Sequence, residues 1–537
     1  MSGVGKGVTV SAVGKILAAR GFKLNLMKID PYLNVDAGTM NPIEHGEVFV
    51  LDSGLECDQD MGNYERFLGE SIPPENYMTS GMVYKYVIDK ERALGYGGKC
   101  VDPVPYISEE ILRRIKRATD KSRADISVIE IGGTAGEYQN MIFIEAARIL
   151  KLHHPDNVIF VLVSFLPVPN KVGEMKTKPT QYAVRTLNSY GVHPDIIIAR
   201  SDRPLDAKRK EKLAFASNVR SANIISAPDV DNIYEIPINF EKDGLSDTLL
   251  DLLKLKARKR NLNDWRKMVD GYKKAVEPVR IGIVGKYFKT GDYVLADVYI
   301  SVIEALKHAA AALTKRLSIE WLDAVDYEEI EARIEDLAAY DGILVPGGFG
   351  ARGVEGKIKA IHFVRQSLVP YLGLCYGMQL AVVEYARETL GWPDAHTAEI
   401  NPESRHPVID LMPEQKKNLQ DSNYGATMRL GAYPAKLKSG TIAAAAYGTR
   451  SISERHRHRY EINQSHIVKL EESGMIFSGR SPDGRLMEIM ELPPAIHPFF
   501  LGTQFHPEFK SRPLAPHPLF LAFLRAAAER AKARHSN

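Results

Sequence analysis

Apolar residues in this chain gather into short uninterrupted runs, and stretches of helical spacing separate one run from the next. In the first half the runs are Ile126–Ile131, Val158–Phe165 and Ile196–Ala199. Continuous β-branched runs of this length suit parallel strands covered on both faces. The second half repeats the style with VRIGIVGKY from Val279, GILVP at Gly342–Pro346 and YLGLC at Tyr371–Cys375. Between the halves, Leu255–Pro278 is basic and helix-favouring, and a proline closes it. No period of roughly 20–50 residues repeats, which excludes solenoids and propellers. The pattern predicts an α/β chain of two doubly wound α/β domains, residues 1–254 and 279–537, with a linker at 255–278. In such open sheets the sites lie where strands end.

Composition narrows the class. Of 537 residues, 45% are apolar and 26% charged, as in soluble globular proteins. Lys and Arg number 70 against 67 Asp and Glu, a surplus of +3. That balance gives no electrostatic reason to expect nucleic acid or a membrane as partner. The longest apolar stretch, Val158–Val168, is short of the roughly 20 residues that a membrane span needs. No secretory leader pattern opens the chain. Cys57, Cys100 and Cys375 form neither a disulfide framework nor CxxC spacing. The expectation is a cytoplasmic, reduced, multidomain protein.

The first half carries phosphate chemistry. Ser2–Gly7 reads SGVGKG and precedes a stretch of helical spacing that ends in glycine. Glycines turn backbone N–H groups toward a phosphate, the helix N-terminus adds positive dipole, and Lys6 adds a charge. A plain glycine-rich turn is the competing reading, since the full GxxxxGK[ST] pattern is not met. Downstream lie Asp58 and Asp60, and Glu130 ends the run ISVI. Carboxylates at strand ends beside a phosphate loop are what Mg²⁺–nucleotide binding needs. In GEMKTKPTQ, Lys176 and Lys178 can face one way and so suit a triphosphate.

The second half carries nucleophile chemistry. Gly373-Leu374-Cys375-Tyr376-Gly377 has the form of a nucleophile elbow, where a strand-to-helix turn exposes the side chain. Far downstream, QFHPE places His506 and Glu508 two residues apart, so the carboxylate can orient the imidazole as base for Cys375. Pro346–Gly350 ends another strand, and its glycine backbone can donate to an oxyanion. Glu454–Glu461 (ERHRHRYE) alternates Arg with His. Two glutamates bracket it, which argues against a nucleic-acid patch.

The segments KIDPYLNVDAGTM, HGEVFV, GNYERF, KTKPTQ, VPGGFGARGVEG, ERHRHRYE and QFHPEF together make the chain resemble the CTP synthase family along essentially its whole length. The resemblance implies a P-loop-like synthetase domain at 1–254 and a class I glutamine amidotransferase domain at 279–537. It implies amination of UTP to CTP, with ATP as co-substrate, Mg²⁺, and ammonia from glutamine, through a UTP phosphorylated at O4. Cys375, His506 and Glu508 would form the triad, and Gly348, Gln379, Glu399 and Arg459 would hold glutamine. ATP would lie on Gly3, Val4, Gly5, Lys6 and Gly7, with Lys28 and Asp60. Asp60 and Glu130 would bind Mg²⁺. UTP, or CTP as feedback inhibitor, would meet Ser2, Glu137, Tyr138, Gln139, Lys176, Lys178, Gln181 and Lys212. Arg352, Gly353 and Glu355 resemble the lid through which GTP activates glutamine hydrolysis, and the family works as a homotetramer.

Three departures from the family pattern stand out. The strand and VTGG run before its SG are absent here, Gln139 replaces a carboxylate, and Tyr376 replaces leucine after the nucleophile. The first departure raises an alternative: a nucleotide-binding or filament-forming relative with impaired synthesis. An amidotransferase serving another acceptor would leave KTKPTQ unexplained.

Overall fold

The computed structural model describes residues 3–169, 171, 173–286, 289–290, 293–294, 296–329, 331–348, 350–412, 415 and 427–536. Two compact units emerge: residues 1–36 with 63–266, and residues 37–62 with 267–537. The second unit thus begins inside helix Asn263–Lys274 and also takes in residues 37–62, far away in sequence.

In the first unit, helix Lys6–Ala19 starts at Gly5, whose φ is 83° and whose carbonyl accepts the Thr9 N–H at 3.0 Å. The apolar runs become strands, but in two parallel three-stranded sheets. One orders Tyr77–Thr79, Leu24–Asp30 and Ile126–Ile131; the other orders Val161–Phe165, Ile196–Ser201 and Ile224–Pro228. The run from Val158 yields a strand only from Val161, because the Phe160 N–H goes to the Asp195 carboxylate at 2.7 Å. Register sets Lys28 opposite Glu130 on neighbouring strands, which explains how a glutamate is buried in an apolar strand.

The second unit is built on a nine-stranded sheet. Its parallel part orders Arg316–Asp323, Pro278–Gly285, Gly342–Val345, Tyr371–Leu374 and Phe500–Thr503. It continues antiparallel through Met487–Glu491, Ile476–Arg480, Arg429–Leu437 and Ser451–His458. Successive residues of one strand feed opposite cores: Ile343 and Val345 join one cluster, Leu344 the other. Both faces are therefore covered, as the unbroken apolar runs require. Burying each such side chain contributes roughly 1.5–3 kcal/mol.

Residues 37–62 form a hairpin, Val48–Val50 against Glu56–Asp58, that packs within this unit. Its seat is close: a side chain on Gly431 would sit 2.6 Å from the Gly54 N and 2.7 Å from the Asp52 O. Alternation on strand Ser451–His458 accounts for ERHRHRYE. Arg455 and Arg457 face the hairpin, bonding Asp52 at 2.6 Å and Glu56 at 2.8 Å. His456 faces the other way, to Glu488 at 2.7 Å.

Candidate active site

Strand Tyr371–Leu374 delivers Cys375 to the start of helix Tyr376–Thr389. There Cys375 takes φ 50° and ψ −99°, a conformation that costs a non-glycine residue about 1–3 kcal/mol and persists where surroundings enforce it. The flanking glycines are obligatory. A side chain at Gly373 would approach the Tyr371 hydroxyl to 2.6 Å, and one at Gly377 the Val345 carbonyl to 2.2 Å.

Around the thiol, Gln504 Nε2 donates to Sγ at 3.7 Å, and Sγ lies 3.9 Å from the Arg457 carbonyl. His506 Nδ1 is bonded to Glu508 Oε1 at 2.7 Å, and its ring stacks on Phe509 at 5.1 Å. Its Nε2 is buried without a hydrogen-bond partner among the described residues. Both Cys375 and His506 border Gly347: a side chain there would lie 3.6 Å from Cys375 Cβ and 3.0 Å from His506 Cε1. Burial lowers the imidazole pKa, but the charge of Glu508, then that of Cys375, outweighs it and raises His506 to about 10. A thiol, an imidazole and an orienting carboxylate so arranged are equipped for attack on a carbonyl.

The remaining second-half candidates converge in part. Glu399 Oε1 accepts the Gly350 N–H at 2.9 Å, and burial pushes its pKa up. Gln379 Nε2 donates to the Tyr460 carbonyl at 2.8 Å and to Gln504 at 3.2 Å. Arg459 donates to Gln415 and Thr427, each at 2.9 Å. Gly348 adjoins Gly347, and Phe349 lies outside the described residues. Gly353, at φ 74°, caps helix Val354–Gln366. Glu355 is held by Arg387 at 2.7 Å and by His396 at 3.3 Å. The His396 bond chiefly lowers its pKa, to about 2. Arg352 is exposed.

In the first unit, Gly3 and Gly5 have φ of 69° and 83°, which glycine adopts freely. Val4 is buried beside them, and Lys6 and Gly7 open the helix. A cavity of about 150 Å³ opens at Gly5, floored by Val230, Ile233, Ile236 and Phe240 with Arg200 at its edge. Arg200 Nε lies 3.6 Å from where a Gly5 side chain would be, and its guanidinium pairs with Asp229 at 2.8 Å. Lys28 Nζ bonds Glu130 at 2.9 Å and lies 3.6 Å from Asp30; the Tyr64 hydroxyl adds 2.5 Å to the other Glu130 oxygen. At the end of the 37–62 stretch, which belongs to the second unit, Asp60 begins helix Asp60–Leu68, its N–H donating to Asp58 at 2.8 Å.

Glu137 caps a turn, accepting from the Thr134 N–H at 2.9 Å and from Gln139 at 3.3 Å, while Tyr138 is 88% exposed. Lys176 pairs with Glu174 at 2.6 Å, Lys178 starts helix Lys178–Ser189, and Gln181 bonds Thr177 at 3.2 Å. Lys212, on helix Ala207–Ser217, and Arg209, at 3.5 Å from Glu174, join the same basic group. Ser2 lies outside the described residues. Sequence reading missed Arg200, Arg209 and the hairpin carboxylates Asp52 and Glu56, whose partners are remote in the chain. Two buried lysines, Lys286 and Lys357, were missed as well.

Comparison with known proteins agrees across both units. The family model described as CTP synthase N-terminus matches residues 1–255, and that described as glutamine amidotransferase class-I matches residues 294–526. The chain is 49% identical over 531 residues to the CTP synthase of Pyrococcus furiosus, covering 98% of this chain and 96% of that one. To the CTP synthase of Carboxydothermus hydrogenoformans it is 48% identical over 530 residues, covering 98% and 97%. Among solved structures, the glutaminase domain of Trypanosoma brucei CTPS with bound acivicin is 39% identical. It covers 47% of this chain and 94% of its own, with a TM-score of 0.43.

Proposed function

The chain belongs to the CTP synthase family, and from that premise we infer which of its residues carry the conversion of UTP to CTP with glutamine and ATP. The observation that carries the assignment is the strained Cys375 at a helix start, beside a His506–Glu508 pair bonded at 2.7 Å. Cys375 sulfur attacks the glutamine amide carbon. His506 passes a proton to the leaving nitrogen, so that ammonia departs and a thioester remains. Water then cleaves the thioester with His506 as base, releasing glutamate. Glu508 keeps Nε2 aimed at the reacting atoms, and the Gly347–Gly348 backbone faces the developing oxyanion. Gln379, Glu399 and Arg459 orient the amino-acid end of glutamine.

In the synthetase half, the Gly3–Gly7 loop and Lys6 hold ATP phosphates, and the Gly5 cavity, apolar-floored and Arg200-edged, suits a flat base. The UTP carbonyl oxygen is a poor leaving group until phosphorylated, after which ammonia displaces it. Lys176, Lys178, Gln181 and Lys212 bind the UTP triphosphate or that of CTP acting as inhibitor, and Ser2, Glu137, Tyr138 and Gln139 complete the nucleotide contacts. The hard carboxylate oxygens of Asp60 and Glu130 fit Mg²⁺, which takes one or two carboxylates and completes its shell with phosphate oxygens. Among the described residues no group of three or more His, Cys, Asp or Glu would hold a metal without such help. Bound there, Mg²⁺ would neutralise charge on the transferring phosphoryl group.

Arg352, Gly353 and Glu355 form the site of GTP activation. The family assignment carries with it a homotetramer. Among the described residues no helix is long and apolar enough to cross a membrane. The test is to supply ATP, UTP and Mg²⁺ with either glutamine or ammonium and follow CTP. Both nitrogen sources should yield CTP, glutamine more so with GTP present; failure with both refutes the reading.

A further inference from the structure

Lys357, in helix Val354–Gln366, is fully buried, and its Nζ has no hydrogen-bond partner among the described residues. A buried cation without a partner costs several kcal/mol unless something offsets it. Its surroundings point to what that is. A side chain on Gly347 would meet Cys375 and His506, whereas one on Gly348 would meet Lys286 Cε at 3.4 Å and Lys357 Nζ at 3.9 Å. The two glycines therefore present opposite sides, one to the nucleophile and one to the lysines. Both amines also lie near the ring of Tyr376, the residue after the nucleophile: Lys357 at 5.6 Å and Lys286 at 6.0 Å. Lys286 is committed to the Gly350 carbonyl at 2.9 Å and feels Glu399, whereas Lys357 is not so tied.

We propose that Lys357 is a positioning residue for glutamine hydrolysis: its ammonium, seated behind Gly348 and Tyr376, braces the turn and places positive potential behind the tetrahedral oxyanion. This rests on the glutaminase assignment of Cys375. Lys286 and the Tyr376 phenol are the titratable groups that face it. Burial, then repulsion from Lys286, brings Lys357 down to about 7, so its charge is present at pH 6 and lost by pH 8.5. A packing role would carry no such pH dependence.

The experiment uses the full chain, with Lys357→Met, Lys357→Gln and Cys375→Ala, and measures glutaminase kcat and KM from pH 6 to 9 beside each melting temperature. Methionine conserves volume and removes a buried charge, a change that is often neutral or stabilising. At pH 6 the Met variant should show kcat about tenfold below wild type with KM within about twofold. The wild-type-to-variant ratio should fall toward one by pH 8.5. A ratio constant across pH, or equal kcat throughout, overturns the proposal. If Lys357→Met does not fold, the Gln variant carries the same comparison, and if neither folds the role is structural and the proposal falls. Glutaminase surviving in Cys375→Ala would instead refute the underlying assignment, whatever Lys357 does.

Discussion

The Nε–H of Arg457 donates to Oε1 of Glu56 across 2.8 Å, while the carbonyl of the same arginine lies 3.9 Å from Cys375 Sγ. Two residues back, the Arg455 carbonyl accepts the His506 N–H at 2.8 Å. The strand on which both reacting residues lean is thus anchored by carboxylates of the 37–62 hairpin. Glu56→Gln keeps the shape but loses the charge-assisted bond. It should lower glutaminase kcat by about three- to tenfold, up to about 1.4 kcal/mol. Unchanged kcat would show that the strand holds itself.

Cys375→Ala should abolish CTP formation from glutamine and leave formation from ammonium within about twofold of wild type. Equal loss of both activities in a folded variant would refute the division of labour between the halves.

Glu508→Gln removes the largest influence raising His506 and should cut glutaminase by about a hundredfold. In the wild type the folded pKa of His506, about 10, exceeds the ordinary 6.5. The stability from this ionisation is therefore fully present below pH 6.5 and lost as pH rises through 10. The stability gap between wild type and variant in denaturant titrations should be widest at pH 6 and narrow toward pH 10. A gap that widens with pH would mean Glu508 acts otherwise.

Asp60→Asn and Glu130→Gln should each depress CTP formation from ammonium by at least about a hundredfold while sparing glutaminase, since neutral isosteres cannot replace carboxylates on Mg²⁺. Glu130→Gln should also lower the melting temperature, because it takes a carboxylate from buried Lys28. Full CTP synthesis in both would remove them from the metal assignment.

Arg200→Ala should raise the KM for ATP about tenfold and leave that for UTP unchanged, if the Gly5 cavity holds the adenine end. A shift in the UTP KM instead would reassign the cavity.

What the sequence revealed follows from how local each signal is. The elbow at Cys375 and the strands at Ile126, Gly342 and Tyr371 are written in contiguous residues, and so is the His506–Glu508 pair. The place of Glu130 at the end of an apolar run is legible in the sequence, but its partner Lys28 depends on strand register between remote segments. The seating of Asp52 and Glu56 against Arg455 and Arg457 spans about four hundred residues, and no periodicity carries it. Lys357 lies in a helix of ordinary spacing, where a lysine reads as solvated surface. Only packing reveals it as core.

The hairpin at 37–62 bears on inheritance. A gene cut near codon 267 would transfer every strand of the nine-stranded sheet and the whole triad. It would leave behind Asp52 and Glu56, the Phe49 ring that packs on Phe509 at 5.0 Å, and the carboxylate of Glu47 that caps Ser301. Domain shuffling would then hand on a glutaminase stripped of its bracing. A stretch of sequence from the synthetase half belongs to the fold of the glutaminase half, so a cut along the chain does not follow the packing.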